Sequence, residues 1–213
     1  MSWAFQGAAS DGAADSADVS IVVTAPAGSG GQLIAIGACI ASRTISPPAG
    51  FNEAINAGGA SRRMYVWSRE DDAAGSYTFT ASGTFNNCSV SVLRFSGLNL
   101  STLSATGAEA AGSDRTAECP SITTTADNEM VLWSSASDVG NTSSIDNGAD
   151  ERVDYTGGGA GSCIGCYTKN IPTASTPTAP VITTPGYGNW VATSVECAES
   201  SVPHVLSIAS PLR

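Results

Sequence analysis

The chain has 213 residues and 42% of them are apolar, which supplies a real core for one large β domain or two small similar ones. Only 13% are charged, and nineteen acids against nine bases leave a net charge of −10, so the attraction that nucleic acid or an anionic membrane requires is missing. Met1 to Ser20 lacks a basic start followed by an apolar run, and no stretch reaches about 18 apolar residues, so neither a secretion leader nor a membrane span is expected.

No segment keeps apolar residues at helical spacing for three turns, and Gly, Pro or β-branched residues interrupt every candidate, so the chain reads as all-β. Residues 1–18 read as an N-terminal arm in which Trp3 and Phe5 have no obvious core position and are candidates to pack on a partner or on a sheet edge. Strands are expected over Val19–Thr24, Gln32–Ala41, Ser61–Ser68, Gly75–Ala81 and Cys88–Ser96. The later ones are Ser121–Thr125, Met130–Ala136, Ser162–Lys169, Pro180–Thr184 and Asn189–Ala198. In "YTFTAS", Tyr77 and Phe79 share one face and Thr78 and Thr80 the other, while "SVSVLRF" puts Val90, Val92 and the stem of Arg94 on one side. Sandwich packing then covers one face of each strand and leaves the hydroxyl face wet. Residues 19–200 form the sandwich, and 201–213 form a tail carrying His204 and Leu206 as further candidates for a partner contact.

Between the second and third strands lies "ISPPAGF". Pro47 and Pro48 fix φ and cannot donate to a ladder, and Gly50 permits a turn before Phe51 returns to the core, so the stretch predicts a rigid corner between sheets. As an exposed loop it is also a candidate docking point.

The two halves of the chain echo one another. "GQLIAIGACI" is matched by "NEMVLWSSAS", "MYVWSRE" by "IGCYTKN", and "FNNCSVSVLRF" by "YGNWVATSVEC". The offset drifts from 97 (Leu33 to Met130) through 100 (Trp67 to Tyr167) to 102 (Cys88 to Trp190), as a duplicated unit with small insertions would produce. Identity is low, and chance likeness between β segments stays open as the alternative. The reading is a two-sheet antiparallel β-sandwich, jelly-roll-like, from repeat-like halves at about 30–98 and 119–198.

Six cysteines without a leader point to thiols kept reduced in the core. Cys163 and Cys166 form a C-x-x-C, but Cys39, Cys88, Cys119 and Cys197 are scattered singly and offer no second pair of zinc ligands. Catalysis finds little purchase. The single histidine, His204, lies in the tail, no serine sits in G-x-S-x-G, and Glu70, Asp71, Asp72, Asp150 and Glu151 occupy polar loops where acids are usually solvated. The Gly of "DNGADE" does not match an EF-hand loop. No cofactor, no metal and no enzymatic activity are expected.

Gly30 to Leu98 resembles a module of tailed-bacteriophage virion proteins. In that module a strand ends near a Pro-Pro-Ala-Gly-aromatic loop, followed by an aromatic-rich strand, an acidic loop, a "GSYTF" strand and a closing strand ending in "FSG". "CPSITTTADNEMVLW", Cys119 to Trp133, resembles the link into that family's second half, so the likeness spans Asp18 to about Ala198. The resemblance implies a head decoration or cement protein on the capsid surface, made in the host cytoplasm, with the major capsid protein and copies of itself, as trimers or pentamers, for partners. A tail or fibre component and a carbohydrate-binding or adhesive sandwich are the alternatives. No trimerising heptads or collagen-like triplets occur to support a fibre.

Overall fold

The computed structural model describes residues 3–13, 20–28, 31–59, 61–70, 75–82, 88–104, 109–139, 147–157 and 163–199. Its first half comprises β1 (Ala4–Ala13), β2 (Ser20–Thr24), β3 (Gly31–Ile40), β4 (Ile45–Ser46), β5 (Asn52–Gly58), β6 (Arg62–Glu70), β7 (Ser76–Ala81) and β8 (Cys88–Ser96). Then follow β9 (Leu98–Ser104), β10 (Glu109–Glu118), β11 (Glu129–Ser137), β12 (Asp150–Thr156), β13 (Cys163–Ile171) and β14 (Val181–Glu199). The described residues contain no helix.

Three sheets result, and all their pairings are antiparallel. One runs β1-β8-β3-β6-β5, a second runs β10-β14-β11-β13-β12 with β9 also on β14, and a small third runs β2-β7-β4. The two large sheets carry the same strand order in the same chain order. Ala35 stands between Trp67 and Val92 on its neighbours, as Trp133 stands between Tyr167 and Ser194. Even the register slip recurs, between Glu53 and Ile55 in one edge pair and between Glu151 and Val153 in the other.

The large sheets pack face to face in opposite order. β1 lies over β12, β8 over β12 and β13, β3 over β13 and β11, β6 over β11 and β14, and β5 over β14 and β10. A half-turn through β3 and β11 therefore brings each sheet onto the other, which is the self-complementary arrangement of a two-fold contact. Ile34, Ile36, Val66, Leu93 and Phe95 meet Leu132, Ile164, Val191 and Val195 there. The outer face of the first sheet packs on the small sheet through Leu33, Tyr65, Trp67, Phe79 and Val92. Trp133, Tyr167, Trp190 and Ile182 build the corresponding layer on the second, under Cys119 and Ile122.

This layering corrects the expectation of a wet hydroxyl face. β3, β8 and β11 are buried along almost their whole length on both sides, because each large sheet is sandwiched between two other layers. Ser89, Ser91, Ser134, Ser135, Thr193 and Ser194 are all buried. The hydroxyls of Ser134 and Thr193 bond each other at 2.9 Å across β11 and β14. The one-sided pattern holds where it should, on β2 and β7, whose alternate residues are exposed.

Three local readings also change. Residues 4–13 are not an arm: they pair with β8 as an edge strand of the first sheet. Ser121–Thr125 joins no ladder as a strand, although Thr124 N bonds Ser175 O at 2.9 Å. Pro180–Thr184 and Asn189–Ala198 merge into the continuous strand β14.

Candidate functional site

The sequence candidates fall at separate places. Trp3 and Phe5 sit at the β1 edge, where their rings pack on Phe95 with centroids 6.1 and 5.5 Å away. The Trp3 indole N–H donates to Asn170 Oδ1 at 3.1 Å, and the Arg152 guanidinium lies 4.6 Å over the Phe5 ring. β1 therefore seals one end of the contact between the large sheets with half-buried aromatics. Pro47 and Pro48 belong to the opposite edge, between β4 and β5. His204 and Leu206 lie outside the described residues.

"ISPPAGF" turns the chain from the small sheet into the first large one, since β4 ends at Ser46 and β5 begins at Asn52. Phe51 N reaches back to Pro48 O at 3.5 Å, and Gly50 takes a φ of 93°, which an L side chain resists. Arg69 clamps the corner. Its guanidinium donates to Ala49 O at 3.0 Å and lies 5.7 Å from the Phe51 ring centre and 5.0 Å from that of Tyr77. Phe51 meets Tyr77 edge-on at 5.4 Å. Both prolines are half-buried while Ala49 and Gly50 are exposed, so the tip alone faces outward.

The acids weighed from sequence are not gathered. Glu70 accepts from Leu100 N at 3.0 Å, Asp150 pairs with Arg152 at 2.7 Å on the other sheet, and Asp71 and Asp72 lie outside the described residues. A different pair, Glu129 and Glu196, is brought together and buried. Thr125 N donates to Glu129 Oε2 at 2.9 Å and to Glu196 Oε1 at 2.6 Å, Thr125 Oγ1 donates to Glu196 Oε1 at 3.0 Å, and Ala126 N donates to Glu129 Oε2 at 3.0 Å. Burial, then the hydrogen bond with Glu196, pushes the Glu129 carboxyl above the ordinary glutamate value. Burial acts upward on Glu196 too, but the bonds it accepts from Glu129 and Thr125 outweigh it and hold that group below the ordinary value. The two carboxyls titrate as a coupled pair, and they close the turn over residues 125–128, where Asn128 takes a φ of 61°. Its signal was an acid inside the apolar run "WVATSVEC" and another four residues beyond Thr125.

The matching position in the first half uses the opposite polarity. Arg94, opposite Leu33 as Glu196 is opposite Val131, which the ladders match to Leu33 in place of the Met130 expected from sequence, is fully buried and donates from Nε to Pro26 O at 2.7 Å. An arginine holding a carbonyl and a carboxylate holding an amide fix equivalent loops. All six cysteines are buried free thiols, and among the described residues no group of three His, Cys, Asp or Glu side chains could hold a metal ion. In comparisons with protein families, characterised proteins and solved structures, nothing matches the chain.

Proposed function

We propose that the chain is a non-enzymatic structural subunit of a tailed-phage particle, a decoration or cement protein seated on the outer head surface and reinforcing the shell beside the major capsid protein. One observation carries the reading: among the described residues the cysteines and the one close carboxylate pair are turned inward, among the strands and loops. The Glu129–Glu196 pair and Arg94 hold loops, and the six thiols are buried. Among the described residues Val22 is the one large hydrophobic side chain that is exposed, and the net charge of −10 suits a surface that meets solvent rather than packaged DNA. The edge strand β1 ("AFQGAASDGA") is rich in small residues and carries one charge, which leaves its backbone open to pairing with a neighbouring chain.

Copy number per particle tests the proposal. Quantitative gels or imaging of purified particles should find the chain in many regularly spaced copies on the head. A handful of copies at the tail would replace the proposal with a tail component. A soluble chain that binds glycans and no particle would replace it with an adhesive sandwich.

A further inference from the structure

The end of the first large sheet brings two buried thiols together. Cys88 opens β8 and Cys39 is the next-to-last residue of β3. The ladder between these strands runs to Ala38 opposite Ser89, and one further step places Cys39 opposite Cys88. Both side chains point into the same outer core layer and both are buried. Cys39 Sγ lies within hydrogen-bonding reach of both Cys88 and Arg43 O, the latter at 3.3 Å, and its single S–H serves one of them at a time.

We propose that Cys39 and Cys88 are an oxidation site, which a small peroxide closes into a disulfide across the β3–β8 ladder. Facing residues of an antiparallel pair have Cα atoms about 4.5–5.5 Å apart, inside the span of about 4.4–6.8 Å that a disulfide accepts, so closure needs side-chain rotation rather than movement of the sheet. The two thiols differ in the way such a reaction uses. The hydrogen bond with Cys39 holds the Cys88 thiol below its ordinary value against burial, aided by Arg43 and Arg62, whereas the same bond and burial push Cys39 up. In the proposed reaction Cys88 attacks first and Cys39 resolves.

The chemistry balances. The Cys88 thiolate attacks one peroxide oxygen, the O–O bond breaks, and hydroxide leaves, giving a sulfenic acid at Cys88. The Cys39 sulfur then attacks the Cys88 sulfur and expels its hydroxyl. The protons given up by the two thiols end on the departing oxygens, so two thiols and one hydrogen peroxide yield one disulfide and two waters. No other cysteines face each other across a ladder among the described residues: Cys163 lies opposite Ser137, Cys166 opposite Ser134 and Cys197 opposite Met130.

The test uses the full chain, treated with hydrogen peroxide, then denatured, alkylated and digested without reductant. The expected result is a peptide cross-link joining Cys39 to Cys88, with the other four cysteines still alkylated. Closing the chain between residues 39 and 88 should raise Tm by roughly 10 °C, reversed by a reductant. Equal alkylation of all six thiols would overturn the proposal, as would cross-links between other pairs or over-oxidation of Cys88 without a cross-link. Cys39→Ser should accumulate sulfenic acid at Cys88. Should that variant fail to fold, the wild-type peptide map decides the matter alone.

Discussion

Gly37→Ala should destabilise the protein by about 1.5 kcal/mol, although alanine ordinarily improves a strand. A Cβ built at residue 37 comes 2.7 Å from Cζ3 and Cη2 of Trp67 and 3.3 Å from Cδ1 of Ile45. Ordinary carbon contacts lie at about 3.5–4.0 Å, so the indole would have to retreat by about 1 Å. It has little room. Trp67 is fully buried, stacks on Tyr65 at 5.0 Å with an interplanar angle of 6°, and abuts Phe79 at 5.7 Å. Overpacking of this kind costs about 1–3 kcal/mol, and the stiffer unfolded chain returns only about 0.4–1 kcal/mol. The net corresponds to a fall in Tm of about 3–6 °C for a domain of this size, read by thermal or urea unfolding. Gly58→Ala is the control, because its nearest atom is Arg63 Nε at 3.8 Å; it should leave stability level or slightly raised. A double-mutant cycle with Trp67→Leu should show the alanine penalty shrinking once the indole is gone. If Gly37→Ala is as stable as the wild type, the close packing of Trp67 on β3 does not exist as described.

Glu129→Gln keeps the acceptor oxygen for Thr125 and Ala126 and removes the charge. In the wild type, the raised Glu129 value gives stability that is full below the ordinary glutamate value and lost as pH rises through the folded one. The depressed Glu196 value gives stability that is present above the ordinary value and lost as pH falls through the folded one. The variant should therefore match or exceed the wild type at neutral pH within about 1 kcal/mol and retain only the acid limb; parallel stability curves from pH 3 to 8 would refute the raised Glu129 value. Gly50→Ala places a side chain at a φ of 93° and 3.2 Å from the Arg69 guanidinium, so it should cost about 1–2 kcal/mol in chemical denaturation. Arg69→Ala should cost about 1 kcal/mol and loosen Phe51, visible as faster hydrogen exchange at the corner.

What the sequence made legible was governed by local rules. Alternation located β7, whose outward threonines are indeed exposed, and two prolines marked the corner between β4 and β5. Apolar runs located β3, β6, β8, β11 and β13. β1, β5, β10 and β12 were not visible because their stretches, such as "AFQGAASDGA" and "NEAINAG", are made of small and polar residues. Such segments are strands only because a stronger neighbour presents a free ladder edge. Burial of Ser134 and Thr193 was equally unreadable, since a hydroxyl with a partner on the next strand looks the same in sequence as one facing water. The Glu129–Glu196 pair joins residues 67 positions apart through Thr125, a closeness that only the ladder between β11 and β14 creates.

The half-turn relation of the two large sheets has a consequence for assembly at low abundance. A self-complementary contact between separate molecules dissociates on dilution. Here both surfaces belong to one polypeptide joined through β9, and covalent tethering of this kind sustains effective concentrations on the order of millimolar. The mating of the sheets is thus a first-order folding event, indifferent to how many copies are present. Each surface is also released from having to match itself, so Arg94 stands on one side and Glu196 at the corresponding place on the other, a difference that an exchangeable pair of identical chains forbids.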